Sequence, residues 1–151
     1  MRLVEQIAAQ LATILAKQAA GKPAEAREEL ERTCRQTIGL DLSKLKELSP
    51  EAVARLLESA GALRHIRAVT LAELLLLDAE LSESEGDPRQ PLTSQVHAVC
   101  LLADSLGALG PADQACYRVK LDRLADQLSH LRTHPYLEAR LRNFGATKNT
   151  S

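Results

Sequence analysis

The sequence predicts an all-α fold of about seven antiparallel helices, arranged as a right-handed array of helical hairpins or as a bundle. Three observations carry that prediction. The 151 residues are 45% hydrophobic but only 2% aromatic, with no Trp, one Phe and two Tyr, so Leu and Ala must fill the core. Both are strong helix formers and neither is favoured in strands. Apolar residues recur at a spacing of three or four through most of the chain, and Gly and Pro stand where such stripes stop and restart.

The elements follow in order. Leu3, Val4, Ile7, Ala8, Leu11, Ile14 and Leu15 predict a helix over residues 3–20. Gly21-Lys22-Pro23 interrupts it, because glycine ends a helix in the left-handed conformation and proline fits the first turn of the next. Ala26, Leu30, Cys34 and Ile38 resume the stripe over residues 23–37, with Gly39 as the stop. Residues 40–48 predict one short turn behind Asp41 or Ser43. Ser49-Pro50-Glu51 is a start signal with a hydroxyl cap, a proline at the first helical position and an acid in the first turn, for a helix over 50–59. The longest helix, 62–84, carries Leu74-Leu75-Leu76-Leu77, apolar on every side and so buried against several neighbours.

Residues 85–91 hold Gly86, Pro88 and Pro91 among polar residues and read as a surface loop. Residues 92–106 are almost wholly apolar and read as a central helix, closed by Gly107. Gly110-Pro111 opens the next, whose stripe is Ala115, Cys116, Val119, Leu124, Leu128 and Leu131. Pro135 starts a last short helix to about residue 143. The predicted organisation is a single helical domain over 1–144 with a flexible C-terminal tail at 145–151.

Composition bounds the function. The formal net charge of −1 carries no overall bias toward a polyanion. Charge is uneven locally: residues 73–87 hold six acids and no base, whereas 118–148 hold seven bases against three acids. These read as solvated faces, or as an acidic ridge that meets a basic surface in this molecule or another. Cys34, Cys100 and Cys116 are widely spaced inside apolar stripes, which predicts buried thiols in a reducing, cytoplasmic setting. Glu5 and Gln6 come too early for a signal peptide, and no apolar run is long enough to span a membrane.

Gly21, Ala26 and Leu30 follow the order of glycine, small residue and large apolar residue found in a tetratricopeptide repeat (TPR). The first hairpin therefore resembles a degenerate TPR, with Lys17 and small residues where the family carries aromatics. Gly110, Ala115 and Val119 repeat the order approximately, so the resemblance covers about half of the chain. Small Leu/Ala-rich helical proteins of bacteria are similar in build. The resemblance implies a scaffold that binds a peptide or protein segment, with no catalysis and no cofactor.

Reactive chemistry is sparse. His130 and His134 have the i, i+4 spacing of paired metal ligands, but Pro135 and the missing Glu between them argue against a site. His97 and Cys100, with Cys116 nearby, read as an apolar face carrying one histidine. No strained-turn serine and no glycine-rich phosphate loop occurs. Arg64, His65 and Arg67 read first as solvating a helix start, paired locally with an acid such as Glu58, and second as a small basic patch for a phosphate or an acidic peptide.

The sequence thus predicts a non-enzymatic interaction module binding a protein or peptide partner, or itself as a homodimer. Its groove is expected between the first hairpin and the helices over 62–84 and 92–106. The candidate partner-binding residues are Val4, Ile7, Leu11 and Ile14, which also fit an a/d seam, together with Arg64 and Arg67. The alternative is a small helical-bundle enzyme or ligand-binding protein with a pocket near His97. A basic nucleic-acid surface through Arg118, Lys120, Arg123, Arg140 and Arg142 ranks below both.

Overall fold

The computed structural model of the chain describes residues 3–84, 86 and 90–128, and every regular element among them is helical. The helices are α1 (Leu3–Ala19), α2 (Pro23–Ile38), α3 (Leu42–Glu47), α4 (Pro50–Glu58), α5 (Arg64–Ser84), α6 (Gln90–Ser105) and α7 (Pro111–Gln127). Single 3-10 turns at Gly61–Leu63 and Leu106–Ala108 precede α5 and follow α6. The fold is all-α. The sequence expectations for 129–151, including His130, His134, the last short helix and the tail, lie outside the described residues, as does most of the 85–89 loop.

The α1–α2 turn is closed by two backbone bonds. Lys22 N–H donates to the Lys17 carbonyl and Gly21 N–H to that of Gln18, with Gly21 at φ +72°. This pattern caps the last carbonyls of a helix and needs a left-handed residue, a conformation that costs most side chains about 1 kcal/mol or more. Lys17 and Glu25 pair at 3.4 Å across the turn. Inside it, Ala26 and Leu30 are fully buried.

Helix α5 is the hub. Twelve of its twenty-one residues are buried, as the four-leucine run implies, and through its middle only the stripe of Glu73, Leu76 and Glu80 reaches solvent. Helix α6 packs along it more extensively than any other pair of elements. Asp78 meets Ser94 and His65 meets Ser105, so the two helices run antiparallel. Helix α2 covers a second flank of α5, α4 touches both α5 and α6, and α7 lies against α6 and α1. The Leu3 N–H donates to Asp113 Oδ2 at 3.1 Å, tying the start of α1 to α7.

One helix presents only part of the stripe its sequence suggests: Leu124 and Leu128 are buried as expected, whereas Ala115, Cys116 and Val119 are not. Helix α7 buries Tyr117, Leu121, Leu124 and Leu128 and turns Ala115, Cys116 and Val119 to solvent, Val119 at 60% exposure. The two sets are offset stripes on one helix, and the larger side chains bury more apolar area. The second glycine–small–large unit therefore makes no packed contact of the kind seen at Ala26 and Leu30. Helix α6 begins at Gln90, two residues ahead of the sequence expectation, because a first turn accepts Pro91.

Candidate functional site

One carboxylate fixes the helices that surround the site. Asp78 points inward from α5 and is 1% exposed. It is clasped by Arg27 from α2, by Lys46 Nζ from α3 at 2.9 Å, and by Ser94 Oγ from α6 at 2.5 Å. Arg27 also reaches Ser82 Oγ at 3.3 Å. Burial alone would raise the carboxyl's pKa, but the bonds from Ser94, Lys46 and Arg27 outweigh it and hold the group below its ordinary value. Every oxygen of this buried charge is engaged, so the cluster fastens four helices together and leaves no vacant ligand position.

The opposite face of α5 makes the site. Glu73, Leu76, Glu80 and Glu83 follow at i, i+3, i+7 and i+10, one stripe on a helix. With Leu11 and Leu15 of α1, Gln95 of α6 and Lys120, Arg123 and Leu124 of α7, they line a groove of about 640 Å³. Its floor is apolar. Leu15 is 45% exposed although Leu11 and Ile14 beside it on α1 are core. The rim is charged and partly self-paired: Lys120 Nζ lies 2.5 Å from Glu73 Oε1, and Gln18 Nε2 donates to Glu80 Oε2 at 3.2 Å. Lys120 also stands 5.9 Å above the ring of Tyr117, whose hydroxyl pKa is raised by burial first and by the Glu73 charge second. The acidic stretch of α5 thus meets the basic stretch of α7 within one molecule.

The predicted partner-binding residues are distributed differently. Ile7, Leu11 and Ile14 are 3%, 4% and 1% exposed, so this stripe is core, not a free surface for a partner, and only Leu11 borders the groove. The reason is geometric: α1 has one large apolar stripe, and α2 and α5 cover it. Val4 belongs to α1, but its side chain lies outside the described residues. Arg64 faces Glu58 at 4.0 Å, and Arg67 lines a separate trough beside α4. His65, the middle of the predicted basic patch, is bonded to Ser105 Oγ at 3.1 Å.

The imidazole of His97, near which a pocket was expected, lines neither the groove nor the trough beside α4. The ring is buried, with Nδ1 2.9 Å from the Thr93 carbonyl and Nε2 2.7 Å from that of Leu48. Both nitrogens face carbonyl oxygens, which leaves neither for a metal or a substrate. Cys34 and Cys100 are buried as expected, and Cys116 is exposed because α7 turns that side outward. Burial pushes the Cys34 thiol up to about 12, with Asp41 and Glu31 adding to the shift. Among the described residues no three His, Cys, Asp or Glu side chains converge as a metal requires, and no helix is long and apolar enough to cross a membrane.

The groove was expected between the first hairpin, α5 and α6; the one observed is lined by α1, α5, α6 and α7 with no residue of α2, and its charged residues were not singled out from the sequence as a set. The i, i+3, i+7 spacing of Glu73, Leu76 and Glu80 was the available signal. It is masked by Asp78, which belongs to the same acidic run and faces the other way. No family model, no curated protein and no solved structure matches this chain.

Proposed function

We propose that this protein is a non-enzymatic helical scaffold that binds an amphipathic segment of a protein partner in the groove between α1, α5, α6 and α7. The observation that carries the reading is an apolar floor left open by a closed core. Leu15 stays 45% exposed next to the half-buried Leu76, while every neighbouring leucine of α5 is buried. An exposed apolar strip with a polar border is the usual mark of a contact surface. Its border of Glu80, Glu83, Arg123 and Gln127 offers both signs of charge to orient a helix laid along it. Gly21, Ala26 and Leu30 support the TPR-like version of this scaffold, in which a helical hairpin supplies one wall. A second copy of the chain is the other occupant this surface suits. Nothing favours the enzymatic alternative, since both nitrogens of His97 are engaged by backbone carbonyls.

The test uses Leu15→Glu, since Leu11 and Ile14 are core and their substitution would report folding. The protein is used as bait in a pull-down with mass spectrometry, alongside light scattering. A partner recovered by the parent protein and lost on Leu15→Glu, at unchanged helicity, supports the reading. A dimer that becomes monomeric in the same variant supports the self-associating form. Partners and oligomeric state that ignore Leu15→Glu overturn both.

A further inference from the structure

A second surface stands apart from the groove, at the end of the molecule built from α3, α4 and the start of α5. Helix α4 buries Pro50, Val53 and Leu57 and turns the stripe Ala52, Arg55, Leu56 and Ser59 outward. A concavity lies on each side of that stripe. One, of about 170 Å³, is floored by Leu45, Val53, Leu57 and Leu71 and edged by Leu40 and Arg67. The other, more open and about 370 Å³, lies over Leu48 and Ala52 beside Arg55. Both include Leu56 and Ser59, so they are two halves of one trough with Leu56, 45% exposed, as the ridge between them.

The charge of this trough is of one sign. Arg67 borders one half and Arg55 the other, no carboxylate lines either, and neither guanidinium has an ion-pair partner among the described residues. The nearest acid in sequence, Glu58, is turned to Arg64. This contrasts with the groove, where Lys120 is already matched by Glu73. Of the six exposed large apolar side chains among the described residues, four (Leu40, Leu56, Leu63 and Ile66) lie at this end, Leu63 on the 3-10 turn and Ile66 in the first turn of α5 beside Arg67.

We propose that this trough is a docking site for an acidic amphipathic helix of a partner protein. The two concavities astride Leu56 receive apolar side chains from one face of that helix, spaced three or four residues apart. Carboxylates flanking that face meet Arg55 and Arg67, whose planar forks accept a carboxylate through two parallel N–H bonds. The α2 helix of a second copy does not supply such a segment. It is acidic and exposed but carries none of the large exposed apolar residues. A flat anionic membrane matches the charge but not the shape, because it cannot enter two separate hollows.

The experiment is fluorescence anisotropy on the whole protein. The probes are labelled synthetic helices about four turns long, with leucines at i, i+3, i+4 and i+7 and glutamates on the flanks, and counterparts with lysine replacing glutamate. The glutamate probes bind and the lysine probes do not. Arg55→Glu and Arg67→Glu each weaken binding about tenfold or more, Arg55→Gln weakens it less, and Leu56→Glu abolishes it. Arg55 and Leu56 face solvent and Arg67 is half-buried, and circular dichroism of each variant checks that helicity is kept. Leu15→Glu, on the other side of the molecule, leaves this binding unchanged, which separates its failure from a failure of the groove reading. Equal binding of the lysine probes, no binding by any glutamate probe, or indifference to both arginine variants overturns the proposal. So does binding to phosphatidylglycerol vesicles that needs Arg55 and Arg67 while the glutamate probes stay free.

Discussion

Asp78 is the residue on which most of the internal polar structure depends. Its carboxylate is buried, and Arg27 and Lys46 are partly buried beside it, so removing the negative charge leaves two cations facing a low-dielectric interior. Breaking such a pair from one side is strongly destabilising, and Asp78→Asn should lose about 3 kcal/mol in urea unfolding at neutral pH. The pH dependence follows from the lowered pKa. The native carboxyl ionises below its ordinary value of 3.8, so its stabilisation is complete well above pH 4 and disappears as pH falls through the native value. The gap between the parent protein and Asp78→Asn should therefore close under acid; a gap that stays constant down to pH 2 would contradict the assigned pairing. The cysteines offer a second test at this scale. The Cys34 thiol is buried, bonded to the Leu40 carbonyl at 3.4 Å and shifted up to about 12, and Cys100 is buried as well. A thiol reagent at pH 8 should label Cys116 quickly in the native protein, and the other two only at the rate of unfolding. Rapid labelling of two thiols would mean that α2 or α6 opens locally.

At the level of single helices, punctuation was easy to read and rotation was not. Gly21, Gly39, Pro23, Pro50 and Pro111 each mark a boundary where the backbone demands it, and the observed ends fall within two residues of those marks. Ser49 shows why: its hydroxyl accepts the Ala52 N–H at 3.1 Å, satisfying a donor the helix cannot satisfy itself. Ser49→Ala should cost about 1 kcal/mol by thermal or urea unfolding, whereas Ser49→Asp should be nearly neutral. A larger loss would show that Ser49 does more than cap α4. Rotation failed on α7, where two stripes of apolar residues compete. Ala115, Cys116 and Val119 share the expected stripe with Leu124 and Leu128, yet only the two leucines are buried, because Tyr117 and Leu121 beside them bury more area and decide which way the helix turns. The same ambiguity hid the groove: on α5, Glu73, Glu80 and Glu83 border it while Asp78, from the same acidic run, anchors the core.

Across the molecule, stability should grade outward from α5, and that gradient bears on where binding can occur. The α5–α6 pair is covered by α2, α4 and α7, and its central leucines other than Leu76 have no solvent face. Helix α3, by contrast, is six residues long and buries only Leu42 and Leu45, and α4 holds the core through Pro50, Val53 and Leu57 alone. Amide exchange needs opening, and opening is cheapest where few apolar contacts must break. Hydrogen exchange followed by mass spectrometry should show residues 69–81 exchanging only through global unfolding, with α3 and α4 exchanging first among the described helices. His97 restrains that opening, since its ring ties α6 to the Leu48 carbonyl between α3 and α4. His97→Ala should raise exchange in α3 and α4 selectively and leave α5 at the global rate. Uniform acceleration across all helices would instead make His97 a core residue with no local role. The gradient also sets the groove and the trough apart: the first is walled by the most stable helix, the second by the least. A partner in the groove meets a preformed surface, whereas one in the trough must also order α3 and α4, so its binding should slow their exchange more than that of any other element.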